Sequence, residues 1–324
     1  GEHGFQVSTL VVDEASMMIL PRFLALASLV EEEGNILLAG DHRQLTPIKA
    51  HDWEEEDRPP VMIYHPYMSA FEAVRDIKEE EDLTDQKICQ SPLTITFRLP
   101  PVILALISQV YRQDDINLRG QKGVSTLETR NRRTPLDRIW ESETGLYLVL
   151  HDERESRQSN EMESDLIKEL VDTAPDLPNN SITVLTPHRV QRTLLQRRLE
   201  EYKGGLIDVI DTVERLQGGE CENIIVSATA SDPSVISMNE EFLLDLNRAN
   251  VAFSRTKNRL IVVCSKTLLD HIPEEVDQYK STLLWKSLRT LCSQEVASFE
   301  MNCHQVKILR PNLEDPQIRK IIES

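Results

Sequence analysis

Short continuous runs of Val, Ile and Leu occur along the chain at 7–12, 35–39, 146–150, 182–185, 207–210, 224–227 and 260–263. Their apolar positions do not alternate with polar ones. That is the pattern of strands in a parallel sheet covered on both faces. Between these runs, apolar positions recur at helical spacing. Ile103, Leu106, Ile107 and Val110 share one face of a predicted helix over 102–111. Further helices are predicted over 161–171 and 188–202, and a short one around 69–74. A last helical pattern near 279–291 sets Leu284, Leu288 and Leu291 on one side. Strands and helices alternating in this way predict α/β architecture. The stretches 53–60 and 172–180 read as loops, the second carrying two prolines and two asparagines.

The length of 324 residues suggests about two domains, at roughly 150 residues each. No apolar run approaches the ~20 residues of a membrane-spanning helix, and no basic segment leads into an apolar one at the start. These features predict an intracellular, cytoplasmic protein that makes no use of a membrane. Five cysteines without a Cys-x-x-Cys pair predict a reducing setting rather than a disulfide scaffold. Cys292, Cys303 and His304 resemble half of a zinc set, against the plainer reading of buried or incidental thiols.

Acidic residues number 54 against 36 basic ones, a formal net charge of −18. A uniformly basic coat for duplex nucleic acid is thereby excluded, but a local basic track is not. Two stretches oppose the global acidity. Residues 111–138 hold seven Lys or Arg against four Asp or Glu, and 188–203 hold five against two. Each is a candidate polyanion surface, or else a solvated face. The acidic runs 31–33, 54–57 and 79–82 read as solvated loops or helix ends.

Five motifs carry chemistry. Leu10-Val11-Val12-Asp13-Glu14-Ala15-Ser16 is an apolar strand ending in two carboxylates. Ligands bind at that edge of a parallel sheet, where an Asp can hold Mg²⁺ and a Glu can deprotonate water. Leu37-Leu38-Ala39-Gly40-Asp41-His42-Arg43-Gln44-Leu45-Thr46-Pro47 ends a second strand in Gly-Asp, with Gln44 three residues beyond Asp41. A neutral amide there can sense a phosphate without adding charge. Thr96-Phe97-Arg98-Leu99-Pro100-Pro101 sets an arginine just before a helix-starting proline pair. Asp211-Thr212-Val213-Glu214-Arg215-Leu216-Gln217-Gly218-Gly219-Glu220 leads into the strand at 224–227. Asn250-Val251-Ala252-Phe253-Ser254-Arg255-Thr256-Lys257 precedes the strand at 260–263. A guanidinium at that position can neutralise charge on a transferring phosphoryl group.

In this order the five resemble motifs II to VI of superfamily 1 helicases, in the Upf1-like/Dna2-like branch, over roughly residues 7–263. The resemblance implies tandem RecA-like parallel-sheet domains, the first incomplete, followed by a short C-terminal extension. It divides the chain at 1–88, 89–270 and 271–324. It implies ATP and Mg²⁺ as cofactors, with ATP taken between the two RecA-like units. Asp13 is implied as the Mg²⁺ ligand and Glu14 as the catalytic base. Gln44 is implied to contact the γ-phosphate, Arg98 and Arg255 to reach it from the second domain, and Gly218 and Glu220 to approach the nucleotide sugar. Thr186 and Thr212 are implied to touch the nucleic-acid backbone, with strand-end capping as their other reading. Gln191 follows in the same pattern as Thr186-Pro187.

One departure stands out. No Gly-x-x-x-x-Gly-Lys-Ser/Thr loop occurs anywhere in the sequence, so the backbone amides and lysine that cradle phosphates are absent from it. The chain also starts Gly-Glu-His-Gly rather than with Met. Together these suggest the C-terminal part of a longer protein, inactive by itself, with the rest of the parent chain upstream as its partner. The implied function is ATP-dependent movement on a single strand of DNA or RNA, with 5′-to-3′ polarity if it follows this branch. One rival reading is a non-hydrolysing, helicase-like scaffold or regulatory partner-binding module of a larger multidomain protein, and a second is a helicase fused upstream to a nuclease or other effector.

Overall fold

A computed structural model describes residues 5–47, 64, 66–79, 88–120, 134–141, 145–216 and 219–323. Its strands are β1 (Val7–Val12), β2 (Val30–Leu38), β3 (Ile95–Thr96), β4 (Arg119–Gly120), β5 (Leu146–His151), β6 (Ile182–Thr186), β7 (Ile207–Thr212), β8 (Cys221–Ser227), β9 (Thr256–Ser265), β10 (Gln294–Met301) and β11 (His304–Arg310). The acidic run 54–57 and most of 79–82 lie outside the described residues, as does the middle of the basic stretch 111–138. The chain divides into two units between Pro92 and Leu93, four residues beyond the division that the sequence suggested.

The second unit is built on one seven-stranded sheet in the order β10-β11-β5-β9-β8-β6-β7. Strands β5, β9, β8, β6 and β7 run parallel. All of β5 and β6 is buried, and so is most of β8 and β9, which is why their sequences are continuous rather than alternating. Successive side chains of a strand point to opposite faces. On β9, Ile261 and Val263 face a cluster with Met162, Leu166, Ile167 and Leu170 of helix Glu161–Asp172 and Leu195 of helix Arg189–Arg198. Leu260, Val262 and Cys264 take the other face and are also fully buried. Helices Pro101–Tyr111, Leu246–Ser254 and Leu283–Leu291 pack against one another, with Phe253 edge-on to Trp285 at 5.8 Å between ring centroids.

Residues beyond 271 do more than extend the chain. Strands β10 and β11 form an antiparallel hairpin, and β11 pairs antiparallel with β5 from Val306 opposite His151 to Leu309 opposite Leu148. The turn residues Asn302 and Cys303 have φ of 51° and 64°, the left-handed pair that a two-residue hairpin turn requires.

Ser265 ends β9 and caps the next helix, Lys266–Asp270. Its Oγ accepts from Leu268 N–H at 3.1 Å and donates to the Ala230 carbonyl at 3.1 Å. Ser265→Ala should lower the unfolding free energy by about 1–2 kcal/mol, because a capping oxygen is lost and a buried carbonyl loses its donor. Urea unfolding measures this, and an unchanged midpoint would show that the cap contributes nothing.

In the first unit β1 and β2 pair in parallel, with Val12 opposite Leu38. Helices Leu20–Ala27 and Ala70–Glu79 belong to the same unit. Val12, Ala15, Phe23 and Ala70 form its small core. Here the expectation of two covered faces fails: Val11 is 62% exposed and Leu37 59%. Packing on one side of a two-stranded sheet leaves the alternate positions of each strand open.

Candidate functional site

Because Val12 and Leu38 are in register, the two strands of the first unit end together. Asp13-Glu14 and Gly40-Asp41 therefore leave the sheet at one edge, the carboxyl edge where ligands bind in parallel sheets. Ala39 N–H donates to Val12 O and Ala15 N–H to Ala39 O, both at 2.8 Å, which ties the two strand ends together. A Cβ on Gly40 would lie 2.8 Å from Phe71 Cδ2 and 3.0 Å from Ser16 N, so only glycine allows this approach.

Glu14 has φ 51° and ψ 40°. A left-handed backbone at a glutamate costs of the order of 1–3 kcal/mol and persists only where the surroundings enforce it. Asp13 is exposed, and its Oδ1 accepts Glu14 N–H at 2.9 Å. An exposed strand-end carboxylate fits the one or two carboxylates that Mg²⁺ takes from a protein when phosphates supply the rest. Asp41 accepts Arg43 N–H at 2.9 Å and Gln44 Nε2 at 3.1 Å, so the Gln44 amide is held by the turn it follows.

In the second unit, Arg98 and Glu220 come from motifs more than a hundred residues apart, and they meet. Arg98 Nε donates to Glu220 Oε1 at 2.9 Å, and Arg98 Nη1 reaches the Ser254 carbonyl at 3.4 Å. Lys257 Nζ pairs with Glu220 Oε2 at 2.8 Å. Hydrogen bonds from Lys257 and then Arg98 hold the Glu220 carboxyl below its ordinary range, and Glu220 in turn raises Lys257. Arg255 caps the end of helix Leu246–Ser254 and is 7% exposed. Its carbonyl accepts Cys221 N–H at 3.0 Å, which docks it on the first residue of β8. Gly218 lies outside the described residues.

Thr186 ends β6 and is fully buried. Its hydroxyl lies 2.9 Å from the Thr229 hydroxyl, so the side chain is enclosed by the protein. Thr212 ends β7 and is 7% exposed. Gln191 is buried as well, accepting Asn160 N–H at 2.8 Å and donating to Ser227 Oγ at 3.0 Å. Two arginines of the basic helix Arg189–Arg198 are paired: Arg192 with Asp211 at 3.0 Å, and Arg198 with Glu161 at 2.6 Å and Asp165 at 3.1 Å. Their carboxylate partners come from other elements, which a local charge count cannot see.

Sequence reasoning missed a buried polar cluster behind the strand ends. Glu163 accepts from Ser227 Oγ at 2.5 Å and Thr229 N–H at 2.9 Å, and lies 3.2 Å from His151 Nε2. Asn160 donates to Glu153 at 3.0 Å and to Thr229 O at 3.0 Å. A signal existed: Glu163 falls on the same helical stripe as Leu166, Ile167 and Leu170, where a charge is out of place unless it is partnered. Among the described residues no group of three or more His, Cys, Asp and Glu side chains is arranged to hold a metal. Cys292 is buried, with its thiol pushed up by desolvation, while Cys303 is exposed at the hairpin turn. No helix among the described residues is long and apolar enough to cross a membrane.

Parallel strands ending in Asp-Glu and Gly-Asp, with a second unit carrying Arg98, Glu220 and Arg255, define a class: RecA-like domains of superfamily 1 helicases, in their C-terminal region. Residues 70–267 match the family described as "AAA domain", and the chain belongs to that family. It is similar to an uncharacterized ATP-dependent helicase of Methanocaldococcus jannaschii, 28% identical over 82% of this chain and 37% of the relative. It is also similar to the DNA polymerase alpha-associated DNA helicase A of Saccharomyces cerevisiae, 27% identical over 79% of this chain and 38% of the relative. The chain thus spans little more than a third of these relatives. Among solved structures, an Arterivirus nonstructural protein 10 helicase in complex with DNA aligns at a TM-score of 0.38 and 14% identity, over 81% of this chain and 41% of that one. A likeness that low carries no argument.

Proposed function

We propose that this chain serves an ATP-driven helicase or translocase that moves along single-stranded nucleic acid. One observation carries the reading: Arg98, Glu220, Ser254 and Lys257, from three separate motifs, converge at one place in the second unit. Such convergence supports a site for a phosphate-bearing ligand.

In this reading Asp13 would hold Mg²⁺, which would supply neutralisation of phosphate charge. Glu14 takes the proton from the attacking water, whose oxygen bonds to the γ-phosphorus as ADP leaves. Gln44 senses the γ-phosphate, Arg98 and Arg255 stabilise its transition-state charge, and Glu220, beside Gly218, approaches the sugar. The loops that follow β6 and β7 face the strand, Thr212 at its own loop and Thr186 shaping the other from within. The phosphate-cradling loop must come from outside residues 1–324.

The test is ATP turnover by the full-length protein with and without single-stranded DNA or RNA. Turnover should rise with one of the two strands. Glu14→Gln should lower it by about 10²–10⁴-fold while ATP still binds. Residues 1–324 alone should show none. A Glu14→Gln protein with normal turnover refutes the base assignment. A full-length protein that binds strands yet never hydrolyses ATP would support the scaffold reading instead.

A further inference from the structure

Helix Leu246–Ser254 has one end among the loops after β6 and β7 and the other among the arginines. At its start, Asp245 Oδ1 caps Arg248 N–H at 2.6 Å. The Arg248 side chain then makes three contacts outside its own helix. Its Nε pairs with Glu214 Oε1 at 3.0 Å, its Nη1 donates to the Phe242 carbonyl at 3.2 Å, and its guanidinium lies 4.1 Å from the Phe242 ring centroid. The His188 ring lies 5.3 Å from that of Phe242 on centroids. His188 follows Thr186 by two residues, and Glu214 follows Thr212 by two. The guanidinium therefore touches the loop after β7 directly, through Glu214, and reaches the loop after β6 through the Phe242 ring that neighbours His188.

The far end of the helix meets the other half of the chemistry. Its last carbonyl, Ser254 O, accepts from Arg98, and Arg255 is its cap. Arg248 and Arg255 are seven residues apart, close to two turns, so they leave one face of the helix about 10 Å apart. Between them the helix is gripped: Asn250 Nδ2 donates to Tyr111 OH at 3.0 Å, and Phe253 packs edge-on to Trp285. A short helix packed in this way shifts as a unit rather than bending.

We infer that Arg248 is a positioning residue that couples the two ends: strand bound at the 186–188 and 212–215 loops shifts helix 246–254 through the Arg248–Glu214–Phe242 clamp and so sets Arg98 and Arg255. This rests on the functional reading above. The pair is partly exposed, at 29% and 27% for the two side chains, and comparing turnover with and without strand separates coupling from a structural role.

The experiment measures ATP turnover of the full-length protein with and without a saturating single-stranded oligonucleotide, for the unaltered protein, Glu214→Gln, Arg248→Met and the double variant. Arg248→Met, which lies outside both strand-binding loops, should keep its strand-free turnover, its KM for ATP and its strand affinity. Strand-stimulated turnover should fall about tenfold, within the usual range of coupling energies. The double variant should lose no more than either single one, since all three remove the same link. Unchanged stimulation in Glu214→Gln overturns the inference. So does an equal fall with and without strand, or additive losses in the double variant. An unaltered protein that the strand never stimulates overturns the functional reading itself, a result distinct from these.

Discussion

Arg255→Ala in the full-length protein should lower strand-stimulated ATP turnover by about 10³–10⁵-fold, the range for an arginine that stabilises a transferring phosphoryl group. The effect should fall on turnover and much less on the affinity for ATP. Charge on the γ-phosphoryl oxygens rises toward the transition state, and a guanidinium placed there acts mainly at that moment. Arg255 is suited to such a role by its anchorage. It caps a packed helix, its carbonyl holds the first N–H of β8, and its residue is only 7% exposed. An enclosed guanidinium also acts at lower effective dielectric than a solvated one. Arg255→Lys should recover little, because an ammonium lacks the planar fork. The backbone bond to Cys221 survives both substitutions. Single-turnover hydrolysis under saturating ATP measures the loss. A drop smaller than tenfold, or one confined to KM, removes Arg255 from the chemistry.

Much of the second unit was legible in the sequence because its strands are buried on both faces. Runs such as Leu146–His151 and Ile182–Thr186 leave no ambiguity of period, and the structure makes each a strand. The hairpin β10–β11 was not legible for a specific reason. The register shifts between Glu295 and Ala297, and a bulge changes the phase of alternation. Val296 and Phe299, three apart rather than two, then both pack on the core. The strand ends were readable, since Asp13-Glu14 and Gly40-Asp41 follow the point where an in-register parallel pair ends. The conformation of Glu14 was not, because no sequence pattern announces a left-handed glutamate. The partners of the basic helix were not legible either. Arg192 and Arg198 are matched by Asp211, Glu161 and Asp165, and only the fold brings those carboxylates to it.

Glu163→Ala should destabilise the second unit by about 3–5 kcal/mol, as expected when one member of a fully buried polar pair is removed. Glu163 and His151 both have side chains at 0% exposure. The substitution deletes acceptors for the Ser227 hydroxyl and the Thr229 N–H and takes away the carboxylate beside His151. Each group left buried without a partner costs about 1–3 kcal/mol, and the cavity adds to that. Thr229 makes the position sensitive, since its φ of 72° is strained for a β-branched residue. Glu163 Oε2 holds its N–H, Asn160 holds its carbonyl, and Thr186 meets its hydroxyl. Without Glu163 that turn should relax, and with it the end of β6 that leads to Pro187 and His188. Glu163→Gln should cost less, about 1–3 kcal/mol, because an amide oxygen set where Oε2 lies can still accept from Ser227 Oγ and Thr229 N–H, and only the side facing His151 changes. Urea unfolding with an unchanged m-value measures both. The order of the two variants is the decisive reading. If Glu163→Ala is as stable as Glu163→Gln, the cluster is not what holds these strand ends. If Glu163→Ala alone also loses strand-stimulated turnover at a temperature where it remains folded, the buried cluster sets the shape of the 186–188 loop as well as its stability.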